Sequence, residues 1–320
     1  MKSVFAPHLK RDVKFGWKLR KAGVPLLHLR DFVTTLPAIP ATCDYSHPAV
    51  IPLRDIDGND AYGDCVYACL YHFLAVATGN ATGTPFRATQ AQVLADYTRD
   101  TGFNPNDPST DNGADIPTTL AAYMKHPFAD GSKIVGYATV NGGDFQLLKT
   151  ALYLFEMLDF GIGLPDHWIT PFPSGDGFVW DKVAGGSDPQ NGHSFYGYGY
   201  DGSDINIDSW GLFGKITQAA CAAYATGSGG GEVYVALTPD LLAKGAVKAP
   251  NGFAWGDLVT QLNAWGGNAP PPPPPAPSGP VTLAQAQQWA ADGVGAGPFI
   301  GHRSYFEKLA RSGLADKWPK

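Results

Sequence analysis

Between positions 65 and 77 almost every residue is apolar or small, and the segment ahead of it is polar and turn-forming up to Asp64. A stretch apolar on every face predicts a buried central helix. The helix is entered through the 59–64 loop and stopped near Gly79. Thr89 with Gln92 is a capping-box pattern that opens a second helix through Tyr97. A polar loop at 104–113 leads to a third helix over 116–124, with Pro117 in its first turn. After position 134 the periodicity changes. Residues 134–140 and 160–164 read as strands flanking a helix at 144–157, which is striped by Leu147, Leu148, Ala151, Leu152 and Phe155. Further strands are expected at 193–200, 204–208 and 232–237, and then a short helix from 238 that Gly245 ends. A helical half followed by an antiparallel half makes an α+β chain, and two such halves invite a cleft between them.

Composition adds the organisation around this core. The 320 residues are 44% hydrophobic and 16% charged, as in a globular protein with a sizeable interior. A proline run at 270–275 is a stiff polyproline spacer. It divides the chain into a basic arm (1–36), a main domain (37–268), a linker (269–280) and a small tail (281–320). Capping-box patterns at Thr282 and Ser304 predict two short helices in the tail, a candidate attachment module for an assembly partner. The arm carries Lys2, Lys10, Arg11, Lys14, Lys18, Arg20, Lys21 and Arg30. It is expected to be a solvated extension packed loosely on the domain, the alternative being a basic arm docked on an acidic partner. No apolar signal core follows it, which favours an intracellular or virus-associated setting. A net charge of −6 gives no reason to expect nucleic acid, and no apolar run is long enough to span a membrane. Four scattered cysteines do not make a disulfide framework, and no His/Cys spacing suits zinc, so no metal or other cofactor is expected.

The candidate chemistry lies at three positions. Cys65 falls in the first turn of the central helix, where unpaired amides and the helix dipole favour thiolate; the alternative is a buried core cysteine. His193 begins a strand after Asn191 and Gly192, which leaves its ring free to lean into a cleft. Asp208 ends the next strand, and a short hairpin can bring it back beside His193 to fix the imidazole tautomer and stabilise imidazolium. Trp210 would shield the pair from water. His72, two turns beyond Cys65, reads as packing.

These residues resemble the papain-like (C1) cysteine peptidase family. That family has Gln-Gly-x-Cys-Gly-Ser-Cys-Trp at its nucleophile, where this chain has Asn59-Asp60-Ala61-Tyr62-Gly63-Asp64-Cys65-Val66. Its Asn-Gly-Gly groove segment appears as Asn112-Gly113-Ala114. Its Gly-His-Ala-Val ahead of Gly-Tyr appears as Gly192-His193-Ser194-Phe195 ahead of Gly199-Tyr200, and its Asn-Ser-Trp-Gly as Asp208-Ser209-Trp210-Gly211. His193 follows Cys65 by roughly 130 positions, near the family spacing of about 130–150. The likeness covers residues 37–245. It implies a two-lobed fold, a helical lobe with a buried central helix beside an antiparallel sheet or barrel. It also implies hydrolysis of peptide bonds in a peptide or protein substrate by a Cys65–His193–Asp208 triad. Asn59 would be the oxyanion donor, and Gly63, Asn112, Gly113, Ala114, Ser194 and Trp210 would line the substrate groove. The chain departs from the pattern at Asn59 (for Gln), Ala114 (for Gly) and Asp208 (for Asn). Tyr62 and Asp111 stand where the family has two bridged cysteines, which suggests a fold kept without that bridge. Two other functions fit less of this pattern. One is a cell-wall amidase or endopeptidase of Cys/His type, which shares the Asp64-Cys65 pair. The other is a structural or attachment protein that has kept the fold and lost activity.

Overall fold

The computed structural model describes residues 2–21, 26–33, 36–248, 254–264 and 269. The rest of the linker and the whole of the tail expected from the sequence lie outside the described residues. The helices are α1 (Leu29–Phe32), α2 (Cys65–Thr82), α3 (Gln90–Thr101), α4 (Ile116–Lys125), α5 (Phe145–Phe155), α6 (Asp166–Ile169), α7 (Gln218–Tyr224), α8 (Pro239–Lys248) and α9 (Trp255–Ala264). The strands are β1 (Ser3–Ala6), β2 (Arg11–Lys14), β3 (Thr42–Asp44), β4 (Gly136–Val140), β5 (Leu158–Gly163), β6 (Phe178–Trp180), β7 (Gly192–Asp201), β8 (Asp204–Ser209), β9 (Leu212–Thr217) and β10 (Gly231–Leu237). Helices α2, α3 and α4 make the helical part, and the strands from β4 onward make most of one sheet, so the α+β division holds.

Helix α2 is buried from Cys65 through Val76, as its all-round apolarity requires. It does not stop at Gly79. That glycine sits inside the helix because a Cβ there would lie 2.9 Å from Pro48. The helix ends at Gly83, whose φ of 80° is left-handed and whose amide donates to the Gly79 carbonyl at 2.8 Å. Gly245 is likewise internal to α8, where a Cβ would meet the Trp255 ring at 2.7 Å. Gly79 and Gly245 thus serve close packing rather than termination. Side-chain caps set the other starts: Thr89 with Gln92 forms a full capping box on α3, and Asp115 and Asp144 accept from the first-turn amides of α4 and α5.

The large sheet has eight strands in the order β4-β10-β5-β7-β8-β9-β6, with β3 paired on β7. Among the described residues β4 and β6 do not pair, so the sheet is open and not the closed barrel that the likeness allowed. Strand β7 is its centre, buried over nearly its whole length because α2 covers it. Its register fixes the site. Ile162 of β5 lies opposite His193, and Tyr196 lies opposite Asp208 of β8.

The arm is not a loosely attached extension. Strands β1 and β2 form a hairpin, and Ala6, Val13, Phe15 and Trp17 are buried in the common core. Its hydrophobic side chains are spaced so that they bury while the lysines and arginines between them stay at the rim.

Candidate active site

Cys65 opens α2 and His193 follows the first residue of β7, and both line one small cavity with Asn59, Cys69, His72 and Trp210. Its free volume of about 20 Å³ holds little more than one water molecule. The Ser194 amide donates to the Cys65 sulfur at 3.4 Å. Burial pushes the Cys65 thiol up to about 12; hydrogen bonding from the Ser194 and Gly16 backbones opposes this and the neighbouring Asp64 adds to it. The thiolate expected from the helix dipole is therefore not the resting form, because desolvation outweighs the dipole in this closed cavity. Asp64 does not cap the helix with its side chain; it is fully buried, and its carboxyl is pushed well up by desolvation.

His193 is buried and neutral, held well below 6.5 by desolvation. Its Nε2 lies 3.0 Å from Ser209 Oγ, and its Nδ1 has no partner among the described residues. Trp210 stacks on the ring at 3.5 Å between centroids and 6° between planes.

Asp208 does not orient His193. Its Oδ2 lies 2.5 Å from Nδ1 of His72. The reason is register. Residues opposite each other on antiparallel strands share a face, and neighbours along a strand alternate. Asp208 is opposite Tyr196, so it leaves the sheet on the face that does not carry His193, while Ser209 steps onto the face that does. His72 is correspondingly more than packing. Its Nε2 lies 3.2 Å from the Asp55 carbonyl and 3.6 Å from Asp57. Burial lowers its pKa, but Asp208 and Asp57 outweigh this and lift it to about 9, so the ring is an imidazolium between carboxylates. Ser209 is not singled out by the sequence: the two-residue period selects it over Asp208 only once the bulge between Gly197 and Gly199 is known.

The groove residues are placed unevenly. The Asn59 amide donates to the carbonyls of Tyr62 at 3.2 Å and Lys14 at 3.4 Å. Ser194 gives its backbone amide to Cys65 and its hydroxyl to Asp159 at 2.7 Å. Asn112 is exposed and donates to the Ser109 carbonyl, outside the groove. Gly63, Gly113 and Ala114 line a channel filled by the arm. The Ala114 amide donates to the Gly16 carbonyl, the Lys18 amide donates to the Ala114 carbonyl, and the Gly16 and Trp17 amides donate to the Gly192 carbonyl, all at 2.9–3.0 Å. Trp17 and Ala114 thus form a parallel bridge, and the neighbouring Gly16 backbone lies against Cys65. Asp111, at one end of the missing bridge, ties the same loops without covalency. It accepts from the Gly63 amide at 3.1 and 3.2 Å and from the Tyr97 hydroxyl at 2.7 Å.

No protein-family model matches the sequence, and no curated protein matches it. Among solved structures the chain is similar to xylellain, a cysteine protease from Xylella fastidiosa, with a TM-score of 0.51 and 16% identity over 74% of this chain and 98% of that one. It is similar to the proform of Amb a 11, a cysteine protease and major ragweed pollen allergen, with a TM-score of 0.51 and 16% identity over 68% and 72% of the two chains. It is also similar to proCathepsin B S9 from Trypanosoma congolense, with a TM-score of 0.50 and 12% identity over 70% and 86%. The sheet order, the buried helix behind Cys65 and these matches agree: the chain has the papain-like cysteine-protease fold.

Proposed function

We propose that this chain is a thiol hydrolase that cleaves peptide bonds, with Cys65 as nucleophile and His193 as its base. The observation that carries the proposal is that Cys65 and His193, whose Nδ1 has no partner among the described residues, line one cavity beside a channel whose walls already pair with an extended peptide backbone. In this reading Nε2–H donates to Ser209 Oγ, 3.0 Å away, which leaves a lone pair on Nδ1. With substrate in place of the arm, the thiol proton passes to Nδ1 and the sulfur attacks the carbonyl carbon. The Cys65 amide and the Asn59 side chain hold the oxyanion. The imidazolium then protonates the leaving amine, and water hydrolyses the thioester. The groove must first be vacated, since Gly16 covers the sulfur and Lys14 occupies the Asn59 amide.

The test is labelling by an epoxide-type thiol-protease inhibitor, with the modified residue mapped. Labelling at Cys65 that vanishes in Cys65→Ala is expected once the arm is dislodged. A chain that stays unlabelled and uncleaving with its groove open is instead a scaffold. The filled groove and the raised Cys65 thiol are the observations that favour this second reading.

A further inference from the structure

The channel is built for a particular occupant. At its neck a Cβ on residue 16 would lie 2.1 Å from the Gly63 carbonyl oxygen and 2.4 Å from its carbon, both backbone atoms. The opposing walls are equally bare. A Cβ on Gly113 would meet the Gly16 oxygen at 1.9 Å, and one on Gly192 would meet the Trp17 oxygen at 2.1 Å. Only glycine passes between them. On both sides of the neck, basic residues of the occupant face acids of the wall. Arg11 lies 2.8 Å from Asp60, Lys14 lies 3.5 Å from Asp111, and Arg20 lies 3.8 Å from Glu232. Glu232 is 6% exposed, and its Oε1 has no partner among the described residues even with Arg20 beside it. A buried carboxylate oxygen left without a donor gains from a guanidinium placed to reach it.

We infer that the groove recognises extended cationic peptides carrying a glycine at the neck, with Lys or Arg five and two positions before it and four positions after it. The arm is the intramolecular member of this class. The inference rests on the channel being the peptide site of the proposed hydrolase, and it specifies which peptides enter.

The test uses the full chain carrying Cys65→Ala and Gly16→Val, where the added side chain expels the arm. A second variant, Cys65→Ala with Arg11→Glu and Arg20→Glu, opens the groove by charge if the first does not fold. The probe is a fluorescein-labelled peptide of residues 9–21, followed by anisotropy. Saturable binding is expected to both opened variants and not to the Cys65→Ala chain with its native arm. Replacing the peptide's glycine by valine should weaken binding about 100-fold, because backbone atoms cannot yield. Replacing its three paired cations by glutamine should weaken it about 10-fold, and added salt should do the same. Equal binding of the glycine and valine peptides, equal binding of the cationic and glutamine peptides, or no binding to either opened variant would overturn the inference. The same peptides incubated with the opened chain retaining Cys65 separate the two proposals. Selective binding without cleavage leaves the ligand class standing and removes the hydrolase. Cleavage without preference for glycine or cations does the reverse.

Discussion

The carboxylate of Asp208 lies 2.5 Å from Nδ1 of His72, whereas the ring of His193 meets Ser209 through its Nε2. Both partners are nearly or fully inaccessible, so the pair belongs to the folded core under the cavity and is little screened by water. Removing one member strands a buried charge. His72→Leu is expected to cost about 3–5 kcal/mol of folding stability, whereas the double variant His72→Leu/Asp208→Leu should recover most of that loss. Urea unfolding of the two single variants and the double variant, taken as a cycle, measures the coupling. Additive losses would mean that the two side chains do not act as a pair.

Catalysis should respond to the neighbouring residue instead. Ser209 holds Nε2 of His193 at 3.0 Å. Ser209→Ala is expected to lower kcat/KM by about 2–10-fold, the worth of one neutral hydrogen bond. The acid limb of the pH–rate profile should move as the imidazole loses its partner, and Ser209→Thr, which keeps the hydroxyl, should restore both. Asp208→Asn should move stability far more than the pH profile. An Asp208→Asn profile displaced as far as that of Ser209→Ala would return Asp208 to the role the sequence suggested.

The contrast between these two residues shows what the sequence could and could not tell. Apolar period placed α2, and motif order placed Cys65 and His193 beside one cavity, because those features depend on local pattern. The partner of His193 depended on strand register. The pairing shifts between Gly197 and Gly199, and a shift of one residue turns every side chain beyond it to the other face. Nothing in the sequence of β7 and β8 marks that bulge except the glycines themselves. Gly79 and Gly245 misled for a related reason: glycine ends helices, but it also lets a helix touch its neighbour, and only the packed neighbours decide. The arm was the largest surprise. Its charge was legible, but Asp60, Asp111 and Glu232, which receive it, are scattered across three distant segments and converge only after folding.

Asp111 shows how the fold replaces a covalent tie. Its carboxylate joins the Gly63 loop, Tyr97 of α3 and, at 3.5 Å, Lys14 of the arm. Asp111→Ala leaves a buried amide and a buried hydroxyl without acceptors and is expected to cost about 2–4 kcal/mol. Limited proteolysis should become faster at the 104–113 loop, and Cys65 should label faster as the arm loses one of its anchors. An unchanged unfolding midpoint in urea would show that the tie contributes nothing.

Stability should also fall on the alkaline side. His72 is raised from 6.5 to about 9; burial alone would lower it, and Asp208 followed by Asp57 reverses that. A base whose folded pKa lies above its unfolded value binds more protons folded than unfolded across the interval between the two. Its contribution is therefore complete below about pH 6.5 and is lost as pH rises through about 9. Asp57, raised to about 6 by burial and opposed by His72, acts in the same direction at lower pH, since ionising it in the core is unfavourable. The thermal midpoint is expected to decline steadily from pH 6.5 to pH 9.5 in the native chain. In His72→Gln the same scan should start lower and run flatter, because the group that loses its proton is gone. Parallel curves for the two proteins would place the alkaline loss elsewhere.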